Sequence, residues 1–365
     1  MHPHAPYFHA FNLFNERIGP MRFKKLLGYF GALEKAWLKG KEMDFIEAGL
    51  ETDLAKEIAA RRPQINLDKE LEKLAKEKIG ILTILDEQYP KLLKEIYDPP
   101  YIMYIKGEVK PEDEFSLAIV GTRKLSSYGQ QVAMHLARDL SSAGLTIVSG
   151  LAQGIDTLAH LAALKQNQRT IAVVGSGIDQ QSIFPPANRH LADKITANGA
   201  ILSEYPLGSF ALKHHFPARN RIISGLSLGT LVIEAPERSG ALITATHAVQ
   251  QNREVFAIPG SIYSPYSAGP NNLIKMGAKL VSSAQDVLEE LNLKNLTQNI
   301  SLRRIIAETP EEELILKIVT GEPIHIDKIV RETKLNTAAV SATLSLMEMK
   351  GKVKNLGGMQ YVLAR

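Results

Sequence analysis

The sequence predicts an α/β protein: a Rossmann-like, doubly wound, mostly parallel sheet, with a helical domain before it and a winged helix after it. Three observations carry that prediction. From residue 116 onward, short continuous Val/Ile/Leu runs alternate with segments of helical period, as in a parallel sheet covered on both faces. Most of these runs end in a loop of small residues, which tight strand-to-helix turns require. The flanking regions lack the alternation and show helical spacing instead.

In chain order, residues 1–64 read as a helical domain of the SAM or helix-hairpin-helix kind. Phe11, Leu13, Phe14 and Ile18 precede a Gly19-Pro20 break, after which Phe23, Leu26, Leu27 and Phe30 recur at helical spacing. The helix after the break carries Arg22, Lys24 and Lys25, so its N-terminus could hold a phosphate; the alternative is a packing domain with solvated lysines. Residues 65–115 hold a charged helix, a short strand over 80–84, turns at Tyr89-Pro90 and Asp98-Pro99-Pro100, and the run Tyr101–Tyr104. This segment reads as a lead-in that adds to the sheet edge. The sheet domain, 116–291, contains strand-like runs at Leu117–Val120, Leu145–Val148, Thr170–Val174, Ala200–Leu202, Thr230–Ile233, Glu254–Ile258 and Lys279–Val281. A polar linker is expected over 292–301. Residues 302–365 then give a helix from Pro310, a second over Ile326–Thr333, a third after the Asn336-Thr337 cap, and a hairpin around Gly357-Gly358, which together make a winged helix.

Composition narrows the chemistry. There is no cysteine, which excludes a disulfide framework, a thiolate nucleophile and Cys-ligated zinc or iron–sulfur clusters. No apolar run approaches the 18 or so residues of a spanning helix, and Met1-His2-Pro3-His4 lacks the start of a signal peptide, so a cytoplasmic protein with no membrane partner is expected. Acid concentrates in the lead-in, where residues 65–115 carry 12 Asp and Glu against 8 Lys and Arg. The remainder is mildly basic, which permits a nucleic-acid partner without arguing for one.

In an open parallel sheet, ligands bind beyond the carboxyl ends of the strands. Those ends carry Gly121-Thr122-Arg123, Ser149-Gly150 running on to Gly154, Gly175-Ser176-Gly177, and Ser239-Gly240. Small residues there let backbone N–H groups approach an anion beside helix N-termini, so the crest suits phosphates. A dinucleotide is disfavoured because Gly121-Thr122-Arg123 is not Gly-x-Gly-x-x-Gly, and no P-loop is present. No cofactor is expected. The segment from Ser209 to Arg221 lies in an acid-free stretch, Tyr205 to Ile233, and interleaves Lys213, Arg219 and Arg221 with Phe216. Cations for a backbone and a ring for a base are what a single strand needs. Arg219 and Arg221 have a second reading, as helix-start charges paired with Glu204 or Glu234. Asp156 and His160 sit at i, i+4 without a third ligand at metal spacing, so no metal site is expected and His160 is read as bonded to Asp156. No nucleophile-elbow frame surrounds Ser176, and no catalytic residue is assigned.

These residues resemble the DNA-processing protein A family, DprA, also called Smf. The likeness rests on Val120-Gly121-Thr122-Arg123, the run Ser149 to Asp156 with His160, the run Phe216 to Ser227 that includes Asn220, and Glu234-Ala235 with Ser239-Gly240-Ala241-Leu242-Ile243-Thr244-Ala245. It spans about residues 80–290 in order. The resemblance implies a non-enzymatic, homodimeric protein that binds and protects single-stranded DNA and loads the RecA recombinase onto it in natural transformation. It implies DNA contacts at Arg123, Lys213, Phe216 and Arg219, and a dimer contact at Asn271, Ile274 and Leu280. It assigns no role to His214-His215. The third helix of the winged domain departs from a DNA reader, because 338–349 holds no Lys or Arg and carries Glu348. A protein-contact or regulatory role is expected there, with Lys350, Lys352 and Lys354 of the turn and wing touching phosphates as the alternative.

Two rival functions stay open. Leu228 to Glu234 is similar to the Gly-x-Gly-Thr-x-x-Glu stretch of lysine-decarboxylase-like phosphoribohydrolases, although Ser227 and Leu228 interrupt the glycine run. On the main reading Glu234 instead orders Arg219 or Arg221. The third possibility is a sequence-specific regulator acting through the winged helix.

Overall fold

A computed structural model describes residues 3–14, 17–293, 309–319, 323–350 and 352–363. Most of the linker expected over 292–301, and the first residues of the winged helix expected from 302, lie outside the described residues. Those up to 293 form one compact unit and those from 309 onward a second.

In the first unit, helices α1 (Ala5–Asn12), α2 (Pro20–Phe30), α3 (Leu33–Lys39), α4 (Glu42–Glu47) and α5 (Thr52–Arg61) follow the sequence's helical spacing. Pro20 sits at the first helical position of α2, where its missing N–H costs nothing, and Gly31 ends that helix at φ 73°. Phe8, Phe11, Phe23, Leu26 and Phe45 are buried together in a core that continues into the sheet through Tyr104 and Ile201. Two of the three basic side chains of α2 are engaged: Arg22 forms a two-pronged ion pair with Glu51, and Lys25 donates to the Gly49 carbonyl.

The lead-in contributes α6 (Leu67–Lys76), β1 (Gly80–Thr83), α7 (Lys91–Lys94) and β2 (Ile102–Gly107). The sheet domain continues with β3 (Ser116–Val120), α8 (Ser127–Ser142), β4 (Thr146–Ser149), α9 (Ile155–Lys165), β5 (Thr170–Val173), α10 (Arg189–Ala197), β6 (Gly199–Ser203), α11 (His215–Leu226), β7 (Gly229–Val232), α12 (Gly240–Gln250), β8 (Glu254–Ala257), α13 (Ala268–Lys275), β9 (Lys279–Leu280) and α14 (Ala284–Glu290). The strand order is β1-β2-β6-β5-β4-β3-β7-β8-β9. From β3 to β9 the pairs are parallel, while β1 and β2 extend the β6 edge antiparallel, with Tyr104 opposite Ser203. Continuous apolar strands are explained by cover on both faces. Ile171 and Val173 of β5 pack into one core, and Ala172 of the same strand into the other.

The chain steps outward from β3 through β4 and β5 to β6, then returns to place β7 on the other side of β3. The loops leaving β3 and β7 therefore diverge, and a crevice opens between them at the carboxyl edge. This position, more than the glycines themselves, makes the crest a site.

The second unit holds α15 (Pro310–Leu316), β10 (Ile324–His325), α16 (Ile326–Thr333), α17 (Thr337–Met349), β11 (Val353–Asn355) and β12 (Gln360–Leu363). Asn336 caps α17 by accepting from the Ala339 N–H at 2.8 Å, and β11 and β12 form the expected hairpin. The sequence did not reveal β10, which adds two residues to that hairpin. Among the described residues, no helix is long and apolar enough to cross a membrane.

Candidate nucleic-acid interface

A cleft of about 350 Å3 fills the crevice between β3 and β7. Of the residues singled out in the sequence, Gly121, Thr122, Arg123, Phe216, Arg219, Asn220, Ser239 and Gly240 line it. Gly150 lines a smaller adjoining cavity together with Arg123, Phe216 and Arg219. Gly154, Lys213 and Arg221 line neither.

Each wall follows from local sequence. Gly154 caps α9 at φ 85°, and a Cβ there would lie 2.4 Å from the Thr122 carbonyl, so only glycine lets the two crest loops meet. At Gly150 a Cβ would fall 2.7 Å from both the Arg219 guanidinium and the Asp156 carboxylate. On the opposite wall Ser239 caps α12, accepting from the Ala241 N–H, and Gly240 faces open space.

Arg219 is the centre of the floor. Only 5% exposed, it donates from Nη1 to the Gly150 carbonyl at 2.6 Å and to the Val173 carbonyl, and from Nε to Asn220 Oδ1 at 3.2 Å. Burial lowers its pKa to about 10, with Asp156 opposing the shift. It stays charged at neutral pH. Asp156 accepts from the Gly150 and Ala152 N–H groups, and its pKa is raised by burial against the pull of Arg219. A buried cation, a buried carboxylate and the two amides that donate to it thus fix the geometry under the cleft.

Above them, Phe216 is half buried, with the Arg123 guanidinium carbon 5.5 Å and that of Arg219 6.0 Å from its ring centroid. Arg123 is exposed, as is Lys213 on the loop before α11. The site therefore presents an aromatic ring flanked by two guanidiniums, one anchored and one open to solvent. Asn220 bridges the walls by donating to the Gly240 carbonyl at 3.1 Å. Lys124, Arg238 and Tyr266 also line the cleft, and the sequence reading missed them. Charge next to Gly-rich crest loops was the available signal for the two basic residues; for Tyr266 there was none.

Three expectations need correction or resolution. Arg221, 6% exposed, takes the ion-pair reading: it donates to both Glu204 oxygens at 2.8 and 2.9 Å and to Asp98 at 2.9 Å. Glu234 orders neither arginine. It accepts from the N–H and hydroxyl of Ser126 and so fastens the start of α8, which explains its burial. His160 bonds not to Asp156 but to Thr170, Nδ1 to Oγ1 at 2.7 Å, because its ring points back to β5; burial lowers its pKa to about 3. Of the unassigned pair, His215 is buried and stacked on Tyr205, with ring centroids 3.9 Å apart, while His214 is exposed.

The residues expected at a dimer contact lie on and after α13. Asn271 exchanges hydrogen bonds with the Gly260 backbone at 3.2 and 3.0 Å, Ile274 is half buried, and Leu280 is 45% exposed. Among the described residues, no group of His, Asp and Glu could hold a metal ion.

Known proteins resemble this chain in sequence and fold. The family model for DNA recombination-mediator protein A matches residues 80–292, and that for the DprA winged helix domain matches 303–359. Protein Smf of Synechocystis is 37% identical, covering 94% of this chain and 95% of its own. The DNA processing protein DprA of Bacillus subtilis is 47% identical over 60% of this chain and 73% of its own. Among solved structures, DNA processing protein A of Streptococcus pneumoniae has 40% identity and a TM-score of 0.67, covering 78% of this chain and 97% of that one. DNA processing protein A of Helicobacter pylori, described for its unique single-stranded DNA binding mode, has 32% identity and a TM-score of 0.53, covering 60% and 97%.

Proposed function

The chain belongs to the DNA recombination-mediator protein A family, and from that premise we propose that it binds and protects single-stranded DNA at the β3/β7 cleft and loads the RecA recombinase onto it. The setting is natural transformation and recombination in the cytoplasm, and the working form is a homodimer joined through Asn271, Ile274 and Leu280. The observation that carries this reading is Phe216 held beside Arg123 and Arg219 at the switch point of the sheet. A ring takes a base by stacking, the guanidiniums take the phosphates on either side, and a paired, stacked duplex offers its bases to neither.

The deciding experiment is a titration of single-stranded against duplex DNA at two salt concentrations. Preference for the single strand at both, with affinity falling as salt rises, is expected. Equal affinity for duplex would sink the reading. RecA loading is checked by whether the protein shortens the lag of filament assembly on a single strand, and the dimer by whether Ile274→Asp halves the mass in sedimentation.

The enzymatic alternative required Glu234 to act on a nucleotide. Both of its oxygens accept hydrogen bonds from Ser126, and the carboxylate is buried against α8. We assign it to structure. Release of free base from nucleoside monophosphates, lost in Glu234→Gln, would reverse that assignment.

A further inference from the structure

A groove of about 670 Å3 lies at the amino edge of the sheet, opposite the crest. Its floor is the sheet face covered elsewhere by α7 and α11, where Leu82 of β1, Ile105 of β2 and Ile171 of β5 belong to one core. One long wall is the turn from Glu87 into α7, with Tyr89 buried and Pro90 and Leu92 half buried. The other is the segment from Gly107 to Ser116, which runs along the starts of β6, β5 and β4. There the Glu108 N–H donates to the Gly199 carbonyl, and Arg169 and Thr146 both donate to Asp113. Leu226, the last residue of α11, marks the far end. From β1 to β5 the floor crosses three strand spacings, about 14 Å, which leaves a mean width of about 7 Å. An α-helix with its side chains is about 10–12 Å across and does not fit, whereas an extended chain of about four residues does.

We propose that this groove holds a short, extended, apolar segment of a partner protein, lying across the strands with its acidic end at Lys78 and its basic end at Glu114. Shape and charge carry the inference. Most of the rim is neutralised within the fold: Arg169 pairs with Asp113, Lys110 lies 3.9 Å from Glu108, and Glu87 and Lys91 offset each other on one wall. Two charges are left at opposite ends. Lys78, just before β1, and Glu114, just before β3, are exposed, and among the described residues neither has an ion-pair partner. Between them, Gln88 offers an exposed amide, and Gly80 and Gly107 bring exposed backbone to the β1 end, all able to bond a main chain. A small apolar molecule would use the floor and neither end charge, so the pair of ends favours a chain. The groove and the DNA cleft lie at opposite edges of the sheet, and the two ligands do not compete. The inference is independent of the single-strand reading.

The probe is a fluorescent peptide with blocked termini, Lys-Leu-Val-Leu-Glu, titrated with the full chain and followed by anisotropy. Saturable binding is expected, with none for Lys-Ser-Thr-Ser-Glu. Val109→Trp, which fills the groove from its half-buried wall, is expected to weaken binding about tenfold, the worth of one buried apolar contact. Lys78→Glu and Glu114→Lys each weaken it about threefold, and the double exchange restores it, because the segment turns end for end. Thermal melting of each variant verifies the fold, and single-stranded DNA binding stays at its wild-type value throughout. Failure of the peptide to bind, wild-type affinity in Val109→Trp, or a double exchange no better than its single changes overturns the proposal. Binding of anilinonaphthalene sulfonate, lost in Val109→Trp, without binding of the peptide also overturns it and assigns the groove to a small molecule. A wild-type chain that binds the peptide but no single strand leaves this proposal standing and overturns the DNA reading instead.

Discussion

At the crest of the sheet, Arg123 and Lys213 are exposed, and Arg123 lies over an aromatic ring. In the winged helix, Lys350 and Lys352 both donate to Glu312, whose side chain is only 2% exposed. The two regions dispose of their cations differently. At the crest, the acid-free sequence leaves positive charge facing solvent, and the nearby carboxylates have other work: Asp156 beneath Arg219, Glu204 on Arg221, Glu234 on Ser126. On the wing, a buried carboxylate draws two lysines into the fold's own structure. Local count of Lys and Arg is thus a poor measure of nucleic-acid affinity, and the acid each one meets decides. This favours a protein contact over phosphate contact for the winged helix, with Lys354, exposed on β11, as the wing cation that remains.

The contrast can be broken in several ways. The largest effect is expected from Arg219→Met, which leaves Asp156 buried without its cation and costs about 3–5 kcal/mol of stability, measured by denaturant unfolding. A loss confined to DNA affinity would mean that Arg219 is a contact and not a foundation. Next, Phe216→Ala is expected to cost about 1–3 kcal/mol in single-strand affinity at any salt. Its companion Lys213→Ala costs less and lowers the slope of log affinity against log salt by about 0.7. Unchanged affinity in both variants would remove the site from the crest.

Acid should also separate the two units. Burial lowers the pKa of His160 to about 3 and that of His9 to about 4, both below the ordinary 6.5. A depressed histidine contributes stability that is complete above pH 6.5 and is lost as pH falls toward the folded value, by about 1.4 kcal/mol per unit for each group. Asp156, whose pKa is raised, acts in the opposite sense at lower pH. Among its described residues the winged helix holds one histidine, His325, which is not buried. Lowering the pH from 7 to 5 should therefore reduce the melting temperature of the sheet unit more than that of the winged helix, and His160→Gln should flatten the dependence. The smallest effect expected is from Glu312→Gln. Releasing the two wing lysines should raise low-salt DNA binding about threefold, and no rise would show that something other than the ion pair silences them.

Much of this was legible in the sequence. Each expected strand of the sheet is present within a residue or two, because continuous Val/Ile/Leu runs have few other uses in a helix-punctuated chain. The crest loops were legible as well, since most strand ends are marked by small residues. Partner choice was not. Arg219 and Arg221 are two residues apart on α11, and their roles diverge because Asp98 reaches Arg221 from 123 positions away while strand carbonyls at Gly150 and Val173 meet Arg219. Sequence spacing placed Asp156 next to His160, but helix orientation turned His160 toward Thr170 on β5. Phe184 carried no signal in the sequence, and only the folded chain puts that ring within 5.9 Å of Phe216.

The bonds from Arg219 to the Gly150 and Val173 carbonyls have one more consequence. They tie the ends of β4 and β5 to α11 before any ligand arrives, so the floor of the cleft has no loop left to order and no rotamer left to choose. On the function proposed here, the entropy lost on association then falls on the nucleic acid and on the exposed Arg123 and Lys213 side chains, while the floor beneath them contributes little.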